Sequence, residues 1–97
     1  MNKDKLDFFR SLLLSDSDIH ELANDYDFIE FCDVSRFVNN CKVLVKRGFT
    51  KSELGGLVFT NPGFLAANPK DLEVTIEELL KDSDDLEKLL TDDPFLI

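Results

Sequence analysis

The stretch "FTNPGFLAANP", residues 59–69, carries two Asn-Pro pairs seven residues apart, with only small and apolar residues between them. A proline disfavours helical geometry in the residue before it, so a helix through Phe59 is expected to end near Thr60 or Asn61. At the second pair the same chemistry begins a helix, with Asn68 as the N-cap and Pro69 in the first turn, where its missing N–H is harmless. The stretch therefore predicts a tight corner between two helices.

Apolar residues at helical spacing extend in both directions from this corner. Thr50 and Glu53 fit a capping box that opens the helix ending near Thr60. Gly48 suits the left-handed conformation that ends a helix, here the one predicted over residues 34–47. We therefore predict an all-α chain, a single domain of residues 1–97 with about six short helices and no strand. The other predicted helices lie at residues 4–14, around 19–23, at 69–82 and within 83–93.

Two of these helices have clear sides that we expect to be buried. The apolar arc of the helix at 34–47 holds Val34, Phe37, Val38, Cys41, Leu44 and Val45. The apolar face of the first helix holds Leu6, Phe9, Leu12 and Leu13.

The pattern of caps, stops and apolar positions recurs along the chain. Ile19 and Leu22 correspond to Leu54 and Leu57 at a spacing of 35, and Pro62 corresponds to Pro94 at a spacing of 32. Fixed periods of this length are typical of stacked helical hairpins. We therefore expect about two and a half helical hairpins, with the first helix as a cap.

Charge is strong and uneven. The 97 residues carry a net charge of −9, yet residues 34–56 hold five basic and one acidic side chain, a net of +4. A net charge of this sign repels phosphate backbones and anionic membranes. We expect no direct binding to nucleic acid or membrane, and a protein partner instead, with oligomeric state left open.

Catalytic, metal and cofactor sites are not evident. One histidine, His20, and two cysteines, Cys32 and Cys41, are too few for a usual zinc site, and Cys41 lies in an apolar arc. No group of residues offers a nucleophile, a base and an orienting partner together. We expect a non-enzymatic protein without cofactors. The cysteine count and the absence of a long apolar run favour a reduced, cytoplasmic protein.

Two surfaces are candidates for binding a partner. Opposite the apolar arc of the helix at 34–47 lies a basic group with one apolar residue: Arg36, Lys42, Val43, Lys46 and Arg47. The helix at 69–82 is acidic through Asp71, Glu73, Glu77, Glu78 and Asp82, followed by Asp84, Asp85 and Glu87.

Three uses of these charges stay open from the sequence. The acidic residues could engage a basic groove on a nucleic-acid-handling partner, so that the chain acts as an inhibitor or adaptor. The basic helix could instead dock onto an acidic partner. In the third interpretation the basic face is an ordinary surface that pairs with the acidic residues of the same chain.

The stretch "GFTKSELGGLVFTNPGFLAANPKDLEVTIEELL", residues 48–80, resembles one repeat of the mitochondrial transcription termination factor (mTERF) family. In that family a short helix ends in Asn-Pro-x-x-Leu, and a second proline opens a longer partner helix. The resemblance extends over residues 19–97 and implies stacked helical repeats. The family's basic, nucleic-acid-binding groove is not expected in a chain with this charge.

Residues 5–54 also resemble the Nif11-type leader domain of modified-peptide precursors, through "KLDFFRSLLLSDSDIHEL" at 5–22 and "FVNNCKVLVKRGFTKSEL" at 37–54. In that resemblance Gly55 and Gly56 match the double glycine after which leaders are cut. The alternative function is therefore a precursor peptide cleaved after Gly56.

Overall fold

The computed structural model describes residues 1–82 and 84–97, with only the backbone of residue 82. The described residues form seven α-helices and two short 3-10 helices, with no strand among them, so the predicted all-α class is confirmed. The α-helices are α1 (Lys3–Ser11), α2 (Asp16–Asp25), α3 (Phe28–Phe31), α4 (Val34–Val45), α5 (Lys51–Thr60), α6 (Pro69–Asp82) and α7 (Leu86–Asp92). The 3-10 helices are η1 (Pro62–Ala66) and η2 (Pro94–Leu96).

The helix ends follow the predicted capping chemistry. Thr50 and Glu53 form a capping box at the start of α5, and Ser15 and Asp18 form another at the start of α2. At the second Asn-Pro pair, the side chain of Asn68 accepts a hydrogen bond of 2.9 Å from the backbone N–H of Lys70. Gly48, after α4, has a φ of +95°. These local signals therefore set the boundaries of three successive helices.

The predicted repeat is visible in the positions of the helices. The short helices α2 and α5 begin at Asp16 and Lys51, and the longer helices α4 and α6 begin at Val34 and Pro69, so both spacings are 35 residues. The one-turn helix α3, which the sequence did not predict, lies where η1 lies in the next unit. The units are α2–α3–α4, α5–η1–α6 and the half unit α7–η2.

The repeat extends further towards the N-terminus than predicted, because α1 takes the place that α4 takes in the next unit and is not only a cap. It packs against α4, as α4 packs against α6. The Nζ atom of Lys5 donates a hydrogen bond of 2.8 Å to the carbonyl oxygen of Glu30. Thirty-five residues later, the side-chain amide of Asn40 donates one of 2.7 Å to the carbonyl oxygen of Leu65. In both units a buried polar side chain, from α1 in one case and from α4 in the other, donates a hydrogen bond to the backbone of the corner.

The corner at residues 59–69 is buried on one side and tied to two neighbours. Phe64 and Leu65 belong to the core. Asn40 also donates a hydrogen bond of 2.8 Å to the carbonyl oxygen of Ala67. On the other side, Asn61 donates one of 2.8 Å to the carbonyl oxygen of Pro94. The first Asn-Pro pair thus links the second unit to the last half unit.

Three residues that the sequence placed wrongly, or left without a role, have clear explanations. Helix α1 ends at Ser11, so Leu13 leaves the predicted apolar face, adopts a φ of +68° and is 72 % exposed. Val45 lies outside the core and is 53 % exposed. Gly55 is buried where a Cβ atom would collide with the backbone carbonyl of Leu12, so this glycine permits α5 to approach the end of α1.

Within residues 1–82 and 84–97, none of the helices combines the length and the apolar character that crossing a membrane requires.

Candidate partner-binding surfaces

The predicted basic face of α4 is turned towards the chain's own second unit. Arg36, Asn40, Val43 and Arg47 follow one another at helical spacing along a single side of α4. Nη1 of Arg36 donates a hydrogen bond of 3.1 Å to the carbonyl oxygen of Ala66. Val43 is only 6 % exposed, so the prediction of an exposed valine surrounded by cations is wrong. This side of α4 is an intramolecular interface.

Lys46 and Arg47, the two cations that directly follow α4, lie opposite acidic residues of α6. Nζ of Lys46 is 3.9 Å from Oε1 of Glu73, and Nη2 of Arg47 is 3.8 Å from Oε1 of Glu77. Exposed pairs at such distances contribute about 0–1 kcal/mol to stability, so their role is mainly to match charge across the interface. The predicted basic and acidic surfaces therefore adjoin each other, as the third interpretation of the charges required. Lys42 is exposed.

The error at Val43 arises because α4 packs in two directions. One side contacts α1, and another contacts η1 and α6. A single apolar arc read from the sequence describes only the first of these contacts. Val43 is buried by the second, whereas Val45, placed inside the arc, is exposed.

The outer face of α6 combines acidic residues with an exposed apolar residue. Asp71, Val74 and Glu78 lie at positions i, i+3 and i+7, on one side of the helix. Val74 is 54 % exposed, while Leu72 and Ile76 on the other side are buried in the core. The sequence had identified both carboxylates but not the valine between them. The side chain of Asp82 lies outside the described residues.

The remaining acidic candidates lie at or before α7. Asp84 and Asp85 are exposed, and Oδ1 of Asp85 accepts a hydrogen bond of 3.1 Å from the backbone N–H of Lys88, which caps α7. Asp85 is therefore also a structural residue.

Glu87 meets Glu53 across the groove between α5 and α7. Both side chains line this groove, and Glu53 also accepts from the backbone N–H of Thr50 at 3.1 Å. The hydrogen bond with Glu87 and the capping contact lower the pKa of Glu53. The hydrogen bond with Glu53, and then the repulsion of its charge, raise the pKa of Glu87. The two shifts have opposite directions, so the environment favours the ionised form of Glu53 and the protonated form of Glu87.

The sulfur and imidazole groups lie apart from these surfaces. Cys41 is buried as predicted, and desolvation raises the pKa of its thiol to about 12. Cys32 is half-buried and His20 is exposed.

The glycine pair matched to a leader-cleavage site lies in the middle of α5. Gly55 has a packing role against Leu12, and Gly56 is exposed with open space beside its Cα. Proteolytic nicking prefers exposed, irregular loops, so cleavage after Gly56 requires local unfolding of α5.

The comparisons with known proteins gave no matching family model, no curated protein of similar sequence and no solved structure of similar fold. The resemblances to mTERF-type repeats and to Nif11-type leader domains therefore stay predictions. The fold itself is shown by the structure alone, as a small all-α domain.

Proposed function

We propose that this chain is a non-enzymatic protein-binding domain whose docking surface is the outer face of α6. Its partner carries a basic groove of the kind that handles nucleic acid, and the chain acts as an inhibitor or adaptor that occupies this groove. The observation that carries the proposal is the exposed Val74 between the carboxylates of Asp71 and Glu78.

The choice of α6 over α4 rests on how the charges are used within the chain. Arg36 is hydrogen-bonded to Ala66, and Lys46 and Arg47 are paired with acids of α6. Docking of the basic face onto another protein would first have to break these contacts. The outer face of α6 needs no such rearrangement, because Asp71, Val74 and Glu78 already face solvent.

This face has the composition that suits a basic partner. The carboxylates steer association with a positive surface and give specificity, and the valine supplies apolar area that is removed from water on contact. A groove that binds phosphate is rich in Lys and Arg, so the acidic face and nucleic acid would compete for the same residues.

The test is affinity capture with a charge-reversed variant and a matched control. The chain is immobilised and exposed to extract from its native host, and bound proteins are eluted separately with heparin and with duplex DNA. The variant Asp71→Lys/Glu78→Lys is expected to lose the eluted proteins. The control Glu21→Lys/Asp25→Lys, with the same change of charge on exposed positions of α2, is expected to retain them.

Two results would count against this function. If both double variants capture the same proteins as the wild-type chain, the outer face of α6 is not the docking surface. If the captured proteins are not eluted by heparin or DNA, the partner surface does not bind polyanions.

A further inference from the structure

The groove between α5 and α7 has features of a binding pocket that the proposed function does not use. Its volume is about 260 Å³. Pockets for drug-sized ligands are roughly 300–1,000 Å³, so this one suits a single long side chain. It is lined by Phe49, Glu53, Gly56, Leu57, Thr60, Glu87, Leu90, Thr91 and Pro94.

The lining divides into an apolar part and a carboxylate part. Phe49, Leu57 and Leu90 are buried core residues that form apolar walls. Gly56 leaves one wall open, because a Cβ atom there would meet nothing within 4 Å. The carboxyl groups of Glu53 and Glu87 lie together in the same groove.

One carboxylate oxygen in this groove is buried and lacks a donor. Oε1 of Glu53 accepts from the backbone N–H of Thr50, but Oε2 is inaccessible to solvent and receives no hydrogen bond from a backbone N–H or a cationic side chain in the described part of the chain. Two ionised carboxylates in one groove repel each other, so a proton or a cationic donor between them is favourable. A buried acceptor without a donor is costly, which makes a donor from outside favourable.

We propose that this groove is a binding pocket for the side chain of an arginine supplied by a partner protein. The guanidinium group would donate to both Glu53 and Glu87, and its alkyl stem would lie along Leu57 and Leu90. A planar guanidinium carries five N–H donors, so it can serve two carboxylates at once, whereas an ammonium is a point charge. The stem of an arginine also gains from contact with apolar walls while the charged end stays at the opening.

The threonines at the rim are compatible with this ligand. The hydroxyl groups of Thr60 and Thr91 donate to the carbonyl oxygens of Gly56 and Glu87, at 2.9 and 2.8 Å. Their oxygens still have free lone pairs, so they can accept but not donate further. A cation with several N–H groups fits such a set of acceptors, and an anion does not.

The pocket lies on a different surface from the outer face of α6, so the inference does not rest on the proposed function. Its test uses small probes: N-acetyl-arginine amide, the neutral isostere N-acetyl-citrulline amide, and free arginine. Backbone amide shifts of the full chain are followed by NMR during titration. We expect the first probe to shift amides around Gly56, Thr60 and Thr91, citrulline amide to shift none, and free arginine to bind more weakly because its carboxylate meets an acidic surface.

A matched pair of variants separates the pocket from general charge. Glu87→Gln and Asp92→Asn each remove one negative charge from α7, but only residue 87 lines the groove. Loss of one charge-assisted contact is expected to weaken binding about tenfold for Glu87→Gln, against less than about twofold for Asp92→Asn.

The two carboxyl groups of the groove, Glu53 and Glu87, also predict how the binding of the arginine amide depends on pH. Because a guanidinium binds best when both carboxyl groups are ionised, affinity of the wild-type chain should rise from pH 4 to pH 7 and that of Glu87→Gln should stay nearly level. The inference would be overturned if the citrulline amide bound as well as the arginine amide, or if the amide shifts lay outside the groove. It would also be overturned if Glu87→Gln and Asp92→Asn bound the arginine amide with equal affinity.

Discussion

Lys5 and Asn40, thirty-five residues apart, perform the same task in successive units: each donates from inside the core to the carbonyl that follows the next short helix. The acceptors, Glu30 and Leu65, are also thirty-five residues apart. A backbone carbonyl that is shielded from water needs a donor, and at these corners no helix or sheet supplies one. The repeat is therefore defined by polar contacts as well as by apolar spacing.

Replacing Asn40 should destabilise the whole domain. The variant Asn40→Ala leaves the carbonyls of Leu65 and Ala67 without their donors and creates a cavity, which we expect to cost about 3 kcal/mol of unfolding free energy. Urea denaturation followed by circular dichroism measures the change. Asn39→Ala is the control: Asn39 is the exposed neighbour on the same helix, and its loss should change stability by less than about 0.5 kcal/mol. Equal costs for the two variants would refute a special role for Asn40.

The two adjacent glycines of α5 should respond in opposite ways to alanine. At Gly55 the new Cβ would collide with the backbone carbonyl of Leu12, and overpacking of this kind costs roughly 1–3 kcal/mol. At Gly56 the Cβ meets open space, so alanine should stabilise α5 by about 1 kcal/mol through helix propensity alone.

Urea denaturation measures the unfolding free energies of Gly55→Ala and Gly56→Ala. We expect the first to be lower than that of the wild-type chain and the second to be higher. If both variants are more stable than the wild-type chain, α5 does not approach the end of α1 this closely. If both are less stable, a side chain at position 56 meets neighbouring atoms, and the space beside Gly56 in the groove between α5 and α7 is smaller than described.

The comparison of sequence and structure shows which signals act locally. Caps and stops such as Thr50, Asn68 and Pro94 depend on neighbouring residues only, and they mark helix boundaries correctly. The sequence could not show that Val43 is buried and Val45 exposed, because burial on α4 depends on which elements lie on each side of the helix. The cost of two glycines in a helix was visible in the sequence, but the collision that requires Gly55 involves Leu12, more than forty residues away.

The site was predicted less well than the fold for the same reason. The acidic residues of α6 were identified from composition, since a run of carboxylates on a helix is a local feature. The exposed position of Val74 and the encounter of Glu53 with Glu87 depend on tertiary packing. The sequence offered no signal for the second, because the spacing of 32 residues that relates Pro62 to Pro94 pairs Glu53 with Asp85 and not with Glu87.

Leu13 should tolerate, and gain from, replacement by glycine. It follows α1 at the position that Gly48 occupies after α4, and both have positive φ values, +68° and +95°. The backbone N–H of Leu14 reaches the carbonyl of Phe9 at 3.4 Å, as that of Phe49 reaches Leu44 at 3.3 Å, so both ends have the hydrogen bond of a Schellman motif.

Because the left-handed conformation costs a non-glycine residue about 1–2 kcal/mol and the side chain of Leu13 is exposed, Leu13→Gly should stabilise the domain by about 1 kcal/mol. The reciprocal change Gly48→Ala should destabilise it by a similar amount. Thermal unfolding of the two variants checks the pair, and a drop in melting temperature for Leu13→Gly would show that its side chain contributes contacts.

Stability should reach its maximum in mildly acidic solution because of Glu53 and Glu87. The pKa of Glu87 is raised above its ordinary value of 4.5, so its stabilising contribution is complete below that value and is lost as pH rises through the raised pKa. The pKa of Glu53 is lowered, so its contribution is present above 4.5 and is lost as pH falls through the lowered pKa. Unfolding free energy should therefore fall on both sides of the ordinary glutamate pKa.

Glu87→Gln isolates the alkaline side of this profile. The amide does not titrate and can donate to Oε2 of Glu53 at every pH, so the fall in stability above the ordinary glutamate pKa should disappear. Asp92→Asn makes the same change in net charge at an exposed position of α7 and should keep the fall, which separates the pair from general charge repulsion. Urea midpoints measured at half-unit pH steps provide the curves. Parallel profiles for the wild-type chain and Glu87→Gln would mean that the two carboxyl groups do not share a proton, and the groove would then lack the charge arrangement on which arginine binding depends.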